Sequence, residues 1–152
     1  MKRHLPHRLI AASMIAASTA CMGAHTTTAS ANGTPAAWHR LVDAYFDQVY
    51  LVYNPTAGTS AGLHQYDNKL ENYSRNGLDA QAAALHEYEQ KISAVPASGL
   101  SEWEAGDRAF LLGNIRSQLL TLEAIRPWQK NPDWYSSSLT NSAFTLIERN
   151  YA

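Results

Sequence analysis

The sequence predicts an all-α fold of about four helices, forming a bundle that is incomplete without further helical layers. Three observations predict it. Apolar residues recur at three- and four-residue spacing in four long stretches, Pro and Gly punctuate the gaps, and no run of useful length alternates like a half-buried strand. No internal repeat and no coiled-coil heptad emerges from the pattern.

The chain has 152 residues, and its start, Met1-Lys-Arg-His-Leu-Pro-His-Arg8, sets three cationic side chains ahead of an apolar run from Leu9 to Ala20. No acidic residue precedes Asp43. This is the order of a secretory leader. The apolar run falls short of the roughly 20 residues that a permanent membrane helix needs. Residues 1–31 are therefore expected to be a signal peptide and processed tail, with 32–152 forming the exported part. Two processing sites compete. Ala29-Ser30-Ala31, followed by the turn-prone Asn32-Gly33, offers the small residues that a signal peptidase accepts and would release a soluble periplasmic or secreted chain. Ser18-Thr19-Ala20-Cys21 resembles a lipoprotein box with Ser in place of the usual Leu, and would make Cys21 a lipidated N-terminus. Membrane contact is expected only through such an anchor. Cys21 is the one cysteine, so no intrachain disulfide can form.

Without residues 1–31, nine basic residues face thirteen acidic ones, a formal charge of minus four. Nucleic-acid binding depends on cationic contacts to phosphates, so that balance disfavours it.

His25 to Gly33 lacks apolar periodicity and reads as a linker. Thr34 then suits an N-cap and Pro35 a first turn, where its missing N–H costs nothing. Trp38, Leu41, Val42, Tyr45, Phe46 and Val49 align on one stripe of a first helix that ends before Pro55. Pro55, Gly58 and Gly62 predict a loop over Asn54 to Gly62. A short helical turn through Leu63, Tyr66 and Leu70 follows, and Asn76-Gly77 predicts another break. Leu78, Ala82, Leu85, Tyr88, Ile92 and Val95 mark a second long helix, closed by Pro96 to Gly99. Ser101 and Glu104 form a capping-box pattern. The third helix places Phe110, Leu111, Ile115, Leu119, Leu122 and Ile125 on its buried face and ends at Pro127. Trp128 to Ser138 reads as an aromatic connection. Leu139, Ala143, Phe144, Ile147 and Tyr151 predict a fourth helix whose apolar side awaits further helices.

The chemistry offered by these residues is sparse. His86-Glu87-Tyr88-Glu89-Gln90 imitates a zinc-peptidase helix, but Gln90 stands where the second imidazole must bind from the same face, and a carboxamide is a poor zinc ligand. His39, His64 and His86, with Asp67, match no ligand spacing. No metal ligand and no catalytic residue is therefore assigned, and no cofactor is expected in this chain. Gly58-Thr59-Ser60-Ala61-Gly62 has the letters of a Gly-x-Ser-x-Gly motif, but no strand leads into it as a nucleophile elbow requires, so a hydrolase triad is unsupported, and no Lys-Ser/Thr follows the glycines as in a phosphate loop. Trp128, Trp134 and Tyr135 suit a cover over one bundle end better than a ligand platform. Asp107-Arg108 reads as an ion pair or surface charge. His64, Tyr66 and Asp67 are the first candidates for a substrate-side contribution. Their plainer reading is that Tyr66 packs, Asp67 caps the next turn, and Gly62 permits a backbone conformation that other residues resist.

One stretch is more specific than the rest. Tyr53 to Ser74, with its Gly62-Leu-His-Gln-Tyr-Asp67 core, joins Asp107-Arg108, Trp128-x-x-Asn131-Pro132-x-x-Tyr135 and Phe144-x-x-Ile147-x-Arg149-x-Tyr151 in a pattern that resembles the N-terminal region of the bacterial family called domain of unknown function 885. The resemblance covers roughly Trp38 to Ala152. It implies a longer, mostly helical protein, similar to zinc peptidases with a downstream His-Glu-x-x-His helix. On that reading this chain is the front piece of an exported hydrolase of peptide-like substrates. Zinc would belong to the full-length protein, and the partner of this piece would be the missing C-terminal catalytic portion. A stand-alone periplasmic helical binding or interaction module is the alternative.

Overall fold

The structure, a computed structural model, describes residues 35–148. The leader with Cys21, the Thr34 cap, Arg149 and Tyr151 lie outside the described residues. Within them the chain is all-α, with four helices of at least seven residues and no strand.

The first helix is α1, Pro35–Tyr45, which passes through a π segment, Phe46–Tyr50, into the short α2, Leu51–Tyr53. In the π segment the Leu51 N–H reaches back five residues to the Phe46 carbonyl. The extra residue shifts the facing of everything after it. Tyr45 and Val49 are accordingly buried while Phe46, expected on the same stripe, is exposed.

The expected loop at Asn54 to Gly62 is instead largely helical, because Pro55 to Ser60 forms α3. Pro55 sits in its first turn, where proline is tolerated, and only Ala61 and Gly62 beyond it turn the chain. Gly62 has φ +87°, a left-handed conformation that suits glycine, and the Leu63 N–H closes onto the Gly58 carbonyl at 2.9 Å. A 3₁₀ turn, His64–Tyr66, follows.

Asn76-Gly77 does not break the chain. Ser74 caps α4, Arg75–Ser93, by accepting a hydrogen bond from the Gly77 N–H at 3.1 Å, so both residues lie in its first turn. Glycine is required there by space: a Cβ at Gly77 would run into the Asn72 carbonyl oxygen.

Helix α5, Glu102–Leu119, begins with the predicted capping box between Ser101 and Glu104. It packs on α4 through Leu85, Ile92 and Ile115, the fully buried centre of the core. The exposed Phe110 and Ile125 are corrections to the predicted buried face, and Leu112 takes a buried place instead. A second π segment, Leu120–Ile125, ends at Arg126, whose φ of 51° marks the left-handed turn before Pro127.

Asp107 is exposed, and Arg108 does not pair with it. The Arg108 guanidinium donates to the Ile92 and Ser93 carbonyls, at 3.1 and 2.9 Å, and so caps the C-terminus of α4. Likewise Trp128 to Ser138 is more helical than a connection: α6 spans Pro127–Lys130 and α7 spans Asp133–Glu148, six residues earlier than Leu139. Trp128 donates through Nε1 to the Leu122 carbonyl, and the Tyr135 hydroxyl to the Trp128 carbonyl, which ties α6 to the second π segment and α7 to α6.

Candidate functional site

The segment between α3 and α4 holds the residues that the sequence singles out. His64 and Asp67 come together: His64 Nδ1 lies 2.9 Å from Asp67 Oδ2, which fixes the imidazole through one nitrogen. This corrects the expectation that Asp67 caps the next turn, since its carboxylate reaches back to His64. The pair borders an open dish with Gln65 and Asn68. Tyr66 is not part of it. Its ring lies against α3 so closely that a Cβ on Gly58 would fall 2.6 Å from Tyr66 Cδ2. On its other side Lys69 Nζ stands 4.9 Å from the ring centroid. An imidazole oriented by a carboxylate can move a proton, but no nucleophile is bonded to it among the described residues.

The histidines do not converge. His39 pairs with Glu104 at 3.1 Å and His86 with Glu123 at 2.9 Å, each in a different part of the fold from His64. Gln90 is exposed on α4. No group of three His, Cys, Asp or Glu side chains able to share a metal ion occurs among the described residues.

A residue that sequence reasoning passed over organises the interior of this region. Glu71, half-buried, takes hydrogen bonds from the Thr56 N–H at 3.2 Å and the Thr56 hydroxyl through Oε1, and from the Ser142 hydroxyl at 2.7 Å through Oε2. One carboxylate thereby ties the segment to α3 and to α7. It also borders a cleft of about 310 Å³ between the end of α2, the C-terminal end of α5 with the second π segment, and α7, lined by Tyr53, Tyr73, Gln118 and Trp134 among others. Tyr73 and Trp134 meet edge to face at 4.8 Å. Burial raises the Tyr73 phenol above its usual range, the Ser138 hydroxyl offsets part of that, and the negative charge of Glu71 adds to it.

A second cleft, about 410 Å³, opens on the other side of Leu122 and is charged. Arg75 pairs with Asp79 at 2.7 Å and lies 4.9 Å over the Trp128 ring, His86 faces Glu123, and the Arg126 guanidinium donates to the Glu123 carbonyl.

The last feature is a surface. Trp103 and Phe110 on α5 are 86% and 77% exposed, and Ile147 on α7 is 78% exposed. Along α5 and into the second π segment, Trp103, Gly106, Phe110, Gly113, Ser117 and Leu120 are all exposed. Their spacing alternates three and four, which makes one continuous helical stripe opposite the buried Leu111, Ile115 and Leu119. A Cβ built at Gly106 or Gly113 would meet nothing within 4 Å. The signal was present in the sequence, hidden because half of the stripe is Gly and Ser.

No helix among the described residues is long and apolar enough to cross a membrane. No family model, no curated protein and no solved structure matches the chain.

Proposed function

We propose that this chain is the N-terminal helical region of an exported, zinc-peptidase-like hydrolase of the family it resembles, and that it covers the catalytic portion and limits the access of peptide-like substrates. The outward stripe of α5 carries this reading. Large rings at Trp103 and Phe110 alternate with glycines at 106 and 113, so a second helix could approach closely at the glycines and receive the rings beside it. Covering the two rings removes apolar area worth about 3 to 5 kcal/mol. The exposed Phe144 and Ile147 of α7 extend the demand for a neighbouring layer. Isolated apolar residues on a surface are ordinary; a periodic stripe of them is an interface signal.

The chain supplies cover and no metal chemistry. His86 does not fit zinc as the motif requires, since its Nε2 is engaged by Glu123 and exposed Gln90 occupies the second ligand position. Zinc would be held by the downstream portion. The test is the encoding DNA beyond Ala152. The reading expects an in-frame continuation with a His-Glu-x-x-His segment, and hydrolysis of peptide-like substrates by the extended protein that a zinc chelator abolishes. A continuation without that motif would overturn the hydrolase assignment. One observation, the aromatic cleft beside Glu71, favours the second reading of a stand-alone periplasmic binding module, in which the α5 stripe stays uncovered.

A further inference from the structure

The cleft beside Glu71 has an unbalanced charge. Glu71 is half-buried, and its three hydrogen-bond donors, the Thr56 N–H, the Thr56 hydroxyl and the Ser142 hydroxyl, are all neutral. None of the ion pairs among the described residues includes Glu71. No Lys, Arg or His lines the cleft. Neutral donors spread the charge of this carboxylate without cancelling it, and no cationic side chain of the cleft stands beside it. Around it stand three aromatic rings, Tyr53, Tyr73 and Trp134, with the polar side chains of Gln118 and Ser138. Ring faces attract cations, and a carboxylate beside aromatic rings is selective for an organic ammonium over a metal ion or an anion. A sugar would suit the rings and amides but would leave the carboxylate uncompensated. The neighbouring cleft differs in carrying cationic side chains, Arg75 and Arg126, beside its carboxylates Asp79 and Glu123.

From this geometry we infer that the Glu71 cleft binds a small organic cation, an alkylammonium group of the size of a choline head or a lysine side chain. Its volume of about 310 Å³ accommodates such a group. The inference stands apart from the covering role proposed for α5, because it rests on Glu71, Tyr73 and Trp134, which lie outside α5; Ser117 is shared by the cleft lining and the stripe.

The experiment is a titration of the full chain with choline chloride and, separately, with its neutral isostere 3,3-dimethylbutan-1-ol, at constant ionic strength, followed by NMR on the Trp134 indole and Tyr73 ring signals. Choline is expected to give saturable shifts at both rings and to bind at least about tenfold more tightly than the isostere, about 1.4 kcal/mol. Glu71→Gln is expected to abolish that preference. Because this substitution also weakens the ties to Thr56 and Ser142, Trp134→Leu serves as a second variant that leaves those ties in place and is expected to weaken choline binding about tenfold. Equal binding of choline and isostere, tighter binding of maltose than of choline, or no saturable shift with choline would each overturn the inference.

Discussion

Replacing Gly58 by Ala tests how the segment carrying His64 and Asp67 is seated. Alanine in a helix interior is ordinarily better than glycine by about 0.5 to 1 kcal/mol. At this position the new methyl would fall 2.6 Å from Tyr66 Cδ2, 2.9 Å from Cγ and 3.3 Å from Cβ. These are atoms near the root of the side chain, and the Tyr66 N–H is held by the Leu63 carbonyl at 3.1 Å, so the ring cannot swing clear without moving backbone. Overpacking of this kind costs about 1 to 3 kcal/mol. Gly58→Ala should therefore destabilise the chain by about 1 to 2 kcal/mol. In a Tyr66→Ala background the obstacle is gone and the same change should stabilise by about 0.5 to 1 kcal/mol. Urea denaturation followed by far-UV circular dichroism measures all four corners of the cycle. If Gly58→Ala stabilises equally in both backgrounds, Tyr66 does not rest on α3 and the description of the segment is wrong.

Three further outcomes are expected. Ile115→Ala, at the fully buried centre of the α4–α5 contact, should cost about 2 to 5 kcal/mol in the same denaturation assay. Arg108→Ala should cost about 1 to 2 kcal/mol by uncapping α4, and Asp107→Ala almost nothing, a contrast that an Asp107–Arg108 ion pair would erase. The carboxyl of Glu104 is held below its usual range, first by the Ser101 hydroxyl and backbone N–H and then by His39. A folded-state pKa below the unfolded one stabilises above the unfolded pKa and ceases to do so as pH falls through the folded value. Glu104→Gln should therefore remove part of the acid dependence of stability in the weakly acidic range and below, with an unchanged acid limb as the refuting result.

What the sequence reveals and what it conceals divide by range. The capping box at Ser101 and Glu104 is legible because both partners lie within one helical turn. The four long helices are legible because each carries its own apolar stripe. Helix α3 is hidden because Gly58 looks like a breaker, and only the Tyr66 ring filling the space beside it explains the glycine. Phe110 and Leu111 are neighbours about 100° apart on the helix, so periodicity alone cannot decide which of them meets α4. Packing leaves Phe110 outside and takes Leu112 in. Of the residues chosen for a site, His64 and Asp67 pair locally across three positions, whereas Tyr66 turns to packing. Glu71 was invisible because its partners are 15 and 71 positions away.

The claim that α5 presents a covered interface is tested most directly by the reactivity of a thiol placed on it. Phe110→Cys, in a chain whose Cys21 is replaced by Ser, should react with a maleimide at the rate of a free surface thiol, as should an Asn68→Cys control. When the chain is mixed or fused with the C-terminal portion proposed for the intact protein, labelling at position 110 should fall by at least about tenfold, the occlusion expected of a buried interface, while position 68 is unchanged. Equal labelling of position 110 in both forms would contradict the account.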